Sequence, residues 1–380
     1  MTTARFSPIG FDKSKLLACM TEEGIDAVLL SSPENVYYTT GYPSIPSAGN
    51  PILYALHNQI PFYSFIEADG RVTLLAWFGA VMGGVEFDVD HVELFADKRG
   101  GQEVLKNFFI GRNLTGKTIG IESFSPFMVV QMIEKHSRPA KFVVIDSILD
   151  TLRAVKSERE IELMKQSTAI VEKTMIELIE NLKPGIRRPE LIQEAKYRMI
   201  KNGASGVGHV TISFGGSNPE VEIDETLKPG KLVVLDIGAN YKGYVSDIRR
   251  HAYTGPIPEE LENLHRRMCG IVDDVSSICI PGKTAKEIYD YAVKLYEENG
   301  LIPLIVNVGH TIGLQTEEIW ISNTEDLVLE PGMVINIELY TDYEPTGEDI
   351  GDEETYLITE NGPVQITSLP RGIKSIEGGI

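Results

Sequence analysis

Residues 232–250 read Leu-Val-Val-Leu-Asp-Ile-Gly-Ala-Asn-Tyr-Lys-Gly-Tyr-Val-Ser-Asp-Ile-Arg-Arg, and this stretch decides how the chain is read. Four apolar residues run into Asp236, a turn containing Gly238, Asn240 and Gly243 follows, and the chain re-emerges as an alternating strand carrying Tyr244 and Asp247. That pattern is a β-hairpin. The two aspartates are 11 positions apart (247 − 236), so the hairpin can bring them side by side. A carboxylate that ends an apolar strand is costly to bury unpaired. Hard oxygen ligands at this spacing suit a divalent metal, or two metals sharing a bridge; two solvated turn carboxylates are the plainer alternative.

At 380 residues the chain has the length of about two domains, each able to bury a substantial core. A formal net charge of −20 argues against nucleic acid or an anionic membrane as a partner, because both would repel this surface. Cys19, Cys269 and Cys279 lack CxxC spacing, which indicates neither a disulfide framework nor a zinc knuckle. With no apolar leader pattern and no apolar run of ~18 residues, a cytoplasmic protein is expected.

Helical and strand patterns alternate up to residue 152. Residues 13–23 read as an amphipathic helix, and 27–30, 72–77, 118–121 and 142–145 as strands, which predicts an α/β domain over 1–152. Ser157 and Glu160 have capping-box spacing, so a second domain, 157–380, opens with a long helix near Glu158. Its stripe of Ile161, Met164, Val171, Met175 and Leu178 marks one buried face. Further on, Pro184-Gly185, Glu190, Ala195 and Gly203 recur as Pro281-Gly282, Glu287, Ala292 and Gly300, each 97 positions later (281 − 184). The repeat predicts two similar halves of two helices and a strand, with a site between them on a shared sheet.

Ligands for such a site are expected from strands of both halves. Asn307-Val308-Gly309-His310 places a histidine after an apolar stretch, residues 333–338 read as a strand ending on Glu338, and Glu353 opens another strand. Singly, each has a structural explanation. Together Asp236, Asp247, Glu338, Glu353 and His310 make four carboxylates and one imidazole, enough to neutralise two divalent cations.

These motifs resemble those of the pita-bread metallohydrolases, the family of methionine aminopeptidase, prolidase, Xaa-Pro aminopeptidase and creatinase. Ser32-Pro33-Glu34-Asn35-Val36-Tyr37-Tyr38-Thr39-Thr40-Gly41 is similar to the signature of its creatinase-type N-terminal domain. Arg153-Ala154-Val155-Lys156-Ser157-Glu158 resembles the junction, and five ligand motifs follow in family order. The resemblance implies a creatinase-like N-terminal α/β domain, then a pseudo-symmetric pita-bread catalytic domain. The two-part architecture points to the prolidase and Xaa-Pro aminopeptidase branch.

By resemblance Asp236 holds a first metal, Asp247 and Glu353 bridge, and His310 and Glu338 hold a second, with Glu338 also moving a proton. The cofactors implied are two divalent ions drawn from manganese, cobalt, zinc and iron. The reaction implied is hydrolysis of a peptide C–N bond by a metal-bridging hydroxide, performed by a homodimer on a small peptide or amide.

Around those ligands the chain departs from the peptidase pattern. Glu317 stands where a second histidine belongs, and Asn218-Pro219-Glu220-Val221-Glu222-Ile223 lacks another. Leu339 replaces a proline and Gly351 an arginine. An ionised glutamate cannot donate the hydrogen bond a histidine would. Tyr244, His209, His251 and Gln315 are candidates to compensate, and Glu317 is itself a candidate substrate contact. The acidic group Glu317, Glu318, Asp342, Glu344, Glu348, Asp349, Asp352 and Glu354 reads mostly as a solvated loop. These departures leave a non-peptide C–N hydrolase of the creatinase or ectoine hydrolase type as the alternative. A non-catalytic binding module is the third reading, and retention of all five ligands speaks against it.

Overall fold

The computed structural model describes residues 4–47, 51–59, 61–139, 141–221, 223–302 and 306–376. The chain divides into two compact units, Met1–Arg153 and Ala154–Ile380. In the first, six described strands form a sheet in the order His91–Phe95, Val72–Trp77, Tyr63–Glu67, Ala27–Leu30, Thr118–Ile121, Lys141–Val144, while Ala4–Phe6 and Val85–Phe87 pair separately. Ala27–Leu30 is buried at every position, as a wholly apolar central strand should be. The motif that follows folds as a short helix, Pro33–Thr40, with Ser32 as its N-cap, Pro33 in its first turn and Gly41 closing it at φ 71°. Glu122 ties it down, accepting hydrogen bonds from Ser31 Oγ and Ser32 N, both at 2.9 Å, and from Asn35 Nδ2 at 2.7 Å. Asn35 Oδ1 accepts in turn from Arg153 Nη1 at 3.2 Å. The signature is thus a structural hub of this unit.

The second unit starts with α1 (Glu158–Asn181), whose N-terminus is closed by the Ser157 and Glu160 capping box. It continues through α2 (Arg188–Lys201), β1 (Gly206–Phe214), β2 (Leu232–Tyr241) and β3 (Ile248–Thr254). The second half repeats that order as α3 (Glu259–Ser277), α4 (Ala285–Glu298), β4 (Gly309–Thr311), β5 (Val334–Tyr343) and β6 (Glu348–Thr359). Both repeated helices stop at an Asn followed by a glycine at positive φ, Gly203 at 110° and Gly300 at 65°.

The strand order β1-β2-β3-β6-β5-β4 joins the two halves at β3 and β6. Val171, Met175, Leu191 and Ala195 of α1 and α2 pack on Val233, Leu235 and Ile237, while Met268, Val272, Ile288 and Ala292 of α3 and α4 pack on Ile335, Ile337 and Leu339. The odd positions of β2 and β5 therefore face helices. Even positions, Asp236 and Glu338 among them, face the other way. No helix among the described residues is long and apolar enough to cross a membrane.

Two sequence expectations are corrected. Glu338 does not end its strand: β5 pairs with β6 from Val334↔Leu357 to Tyr343↔Glu348, which places Glu338 mid-strand and starts β6 at Glu348 rather than Glu353. Nor is the acidic run mainly a solvated loop. Asp342 and Glu344 are exposed near the hairpin turn, but Glu348, Asp352 and Glu354 are buried. Arg250 Nη2 lies 2.7 Å from Glu354 Oε1, and Arg371 Nε lies 2.9 Å from Asp352 Oδ2. Lys156 neutralises Glu318 in the same way at 3.0 Å.

Candidate metal centre

A row of directly opposed residues crosses five strands: Thr211 on β1, Asp236 on β2, Arg249 on β3, Glu353 on β6 and Glu338 on β5. Opposed residues share a face of the sheet. Three of the five expected ligands therefore converge through strand register alone. Asp236, Glu338 and Glu353 offer oxygens within 4.8 Å of one another, and Asp247, His310 and Glu353 form a second such group. His310 Nε2 lies 3.9 Å from Asp247 Oδ2 and 3.8 Å from Glu353 Oε1.

The two hairpin aspartates are not cross-strand partners, since Asp236 faces Arg249. They meet at His209 on β1, whose Nε2 is 2.9 Å from Asp236 Oδ1 and 3.1 Å from Asp247 Oδ1.

Four carboxylates gathered out of water resist ionising together. Burial and then the charge of Asp236 push Glu338 up to about 8, and burial with Asp247 holds Glu353 well above the ordinary carboxylate range. Burial disfavours a charged His209 ring, yet Asp247 and Asp236 override it and raise the His209 pKa well above the usual value. Glu353 Oε1 accepts from Asn336 Nδ2 at 2.6 Å, while its buried Oε2 has no hydrogen-bond partner among the described residues. A hard divalent cation fits this donor set, because it would satisfy the orphaned oxygen and cancel the mutual repulsion.

Asp236, Asp247 and Glu338 open onto a cavity also lined by His209, Thr211, Arg249, Glu317, Trp320, Tyr340 and Asp349, with His310 and Glu353 buried behind it. Glu317 Oε2 accepts from Trp320 Nε1 at 2.6 Å. Tyr244 is not brought to the cavity: it is buried, and its hydroxyl donates to Glu160 Oε1 on α1 at 3.0 Å. Gln315 is exposed and does not line the wall. His251 is buried edge-on against His265, ring centroids 5.1 Å apart. Glu222 lies outside the described residues.

Sequence reading missed Arg249, the one Lys or Arg among the described lining residues. Its Nη1 is 3.3 Å from Glu338 Oε1 and 3.6 Å from Asp236 Oδ2, it pairs with Asp349, and its guanidinium lies 5.4 Å from the Tyr340 ring centre. The available signal was alternation, which returns the second residue after Asp247 to the same face. An arginine at 351 would not fit, because a Cβ there would meet the Leu339 carbonyl oxygen, and Tyr340 Cβ at 2.6 Å. Arg249 supplies a guanidinium from the neighbouring strand instead.

Fold and donor set together define a class. Residues 162–360 match metallopeptidase family M24 and residues 13–155 match the creatinase/prolidase N-terminal domain. The chain belongs to metallopeptidase family M24, which implies divalent metal ions. It is 30% identical to the Xaa-Pro dipeptidase of Pyrococcus furiosus, over 94% of this chain and 97% of that protein. Its fold is similar to that of the prolidase from Pyrococcus horikoshii OT3, with 27% identity, a TM-score of 0.80, and coverage of 94% of this chain and 98% of that one. The X-Pro aminopeptidase from Thermotoga maritima superposes with a TM-score of 0.79 at 25% identity, covering 96% and 99% of the two chains. The expected family and two-part α/β architecture are confirmed.

Proposed function

We propose that this chain is a metal-dependent Xaa-Pro peptidase, and within that class a dipeptidase, with residues 1–152 as the creatinase-like domain and 157–380 as the catalytic one. The observation that carries the reading is the convergence of Asp236, Asp247, His310, Glu338 and Glu353 in a sheet built from both halves. The likeness to the P. furiosus dipeptidase over nearly the whole chain supports it. Two divalent cations, manganese, cobalt, zinc or iron, would supply Lewis-acid polarisation of the scissile carbonyl and a water acidic enough to ionise near neutral pH. Asp236 would hold one, His310 and Glu338 the other, and Asp247 and Glu353 both.

Glu338 would take up a proton on a carboxylate oxygen and pass it to the leaving nitrogen, a role supported by its position in the cavity wall beside Asp236. Arg249 favours a substrate whose free carboxylate lies close to the scissile bond, as in a dipeptide. Glu317 offers an acceptor to the substrate's amino group. The replacement of a histidine by Glu317 keeps a creatinase-type substrate as the second reading. A cytoplasmic homodimer is the assembly proposed; Phe124 and Phe127, 97% and 74% exposed, are apolar side chains a partner would cover, and light scattering tests it.

The deciding experiment is hydrolysis of Xaa-Pro dipeptides and longer Xaa-Pro peptides by metal-stripped protein reloaded with manganese, cobalt or zinc, with Asp247→Ala as control. Metal-dependent turnover, faster on dipeptides and lost in the variant, is expected. Metal binding without cleavage of any proline peptide would refute the peptidase and direct the search to small amides and cyclic amidines.

A further inference from the structure

We propose that His209 is a sixth protein ligand of the metal centre, an imidazole supplied by the first half as His310 is supplied by the second. The inference rests on the reading of that centre as dinuclear. Val207-Gly208-His209 recurs as Val308-Gly309-His310, 101 positions later (308 − 207), and Asp236 recurs as Glu338 after 102 (338 − 236). The strand order repeats while the register of the two histidines differs, so they reach the centre from opposite ends of the ligand row. β1 lies outside β2 just as β4 lies outside β5. His209 is opposite Gly238, two residues past Asp236, and His310 is opposite Asn336, two residues before Glu338.

The two rings flank Asp247 from opposite sides, His209 Nε2 approaching Oδ1 and His310 Nε2 approaching Oδ2. With Asp236 and Asp247, His209 forms a ligand group as tight as the one His310 forms with Asp247 and Glu353. Gly238 makes the approach possible. A Cβ there would meet His209 Nδ1 at 2.7 Å and Cε1 at 2.8 Å, besides striking the Ser246 carbonyl oxygen. The glycine thus leaves room for the imidazole to lean over the hairpin toward both aspartates. Each metal would then have one imidazole and one terminal carboxylate of its own, Asp236 with His209 and Glu338 with His310, and share Asp247 and Glu353.

The test uses cobalt(II) on the full chain. Wild-type protein is expected to bind two cobalt ions by calorimetry and elemental analysis. His209→Ala is expected to weaken one of the two by at least about tenfold and to change the visible cobalt spectrum. Gly238→Ala, which crowds the ring without removing it, should shift affinity the same way, and circular dichroism reports whether either variant is folded. A second measurement needs no variant: proton NMR of the cobalt-loaded wild type should show two hyperfine-shifted, solvent-exchangeable imidazole N–H signals. A single signal, or a folded His209→Ala variant that keeps both affinities within about twofold or gains a metal, overturns the proposal and leaves the dinuclear reading standing. Wild-type protein that binds no cobalt overturns both.

Discussion

Arg249 faces Asp236 directly across β2 and β3, with Nη1 3.6 Å from the carboxylate Oδ2. On the dipeptidase reading this guanidinium, which also pairs with Asp349, would turn to the substrate's free carboxylate. Replacing Arg249 with methionine should raise KM for Xaa-Pro dipeptides by roughly 10- to 100-fold, the range for one charged hydrogen bond. The same dipeptides with amidated C-termini should be affected far less. Equal losses on acid and amide would remove the carboxylate role.

Asn336 donates to Glu353 Oε1 at 2.6 Å and so fixes the orientation of that carboxylate. Such supporting bonds are worth about 10- to 100-fold in metal affinity. Asn336→Leu should therefore weaken manganese binding by that factor while kcat at saturating metal changes less, as read by titration and steady-state kinetics.

Arg250 and Glu354 form a buried ion pair at 2.7 Å, with side chains 3% and 0% exposed. Arg250 also donates to the Glu353 and Leu369 carbonyls. Removing Arg250 leaves the buried Glu354 and Asp352 to share Arg371 alone, at a cost of up to about 3–5 kcal/mol. Arg250→Met should lower the urea midpoint accordingly, and the paired change with Glu354→Leu should recover part of the loss.

Burial, aided by the nearby Arg250 charge, pushes the His265 pKa down to about 4. Between that value and an ordinary 6.5 the unfolded chain binds a proton that the folded chain refuses. The contribution of His265 is thus complete above pH 6.5 and lost as pH falls toward 4, about 3 kcal/mol in all. Asp352 beside it works in the opposite sense, its pKa raised to about 7 by burial and Glu354. Comparing urea unfolding of wild type and His265→Gln at pH 7 and pH 4.5 isolates the histidine, and the variant should lose less stability on acidification.

The five candidate ligands, which the structure gathers into two clusters, stood out in the sequence as carboxylates and a histidine in or beside strand-like stretches. The helix boundaries were legible too, through Ser157 with Glu160 and through the Asn-Gly stops. What escaped depended on distant partners. Glu354 read as solvated because the arginine that neutralises it lies 104 positions away. His209 was chosen only as a substrate contact, since nothing local shows that β1 lays it beside Asp236, 27 positions on. Tyr244 was misjudged for a related reason: alternation assigns a face, but not whether a helix covers it.

The row that runs from Thr211 to Glu338 depends on strand register. A one-residue slip of β2 would put Leu235 or Ile237 where Asp236 stands, and a slip of β5 would put Ile337 or Leu339 where Glu338 stands. Every donor on the slipped strand would turn to the opposite face. With the proposed ligand set, metal capture would proofread the folded chain, since only molecules zipped in the right register across both halves present the full set of donors at once.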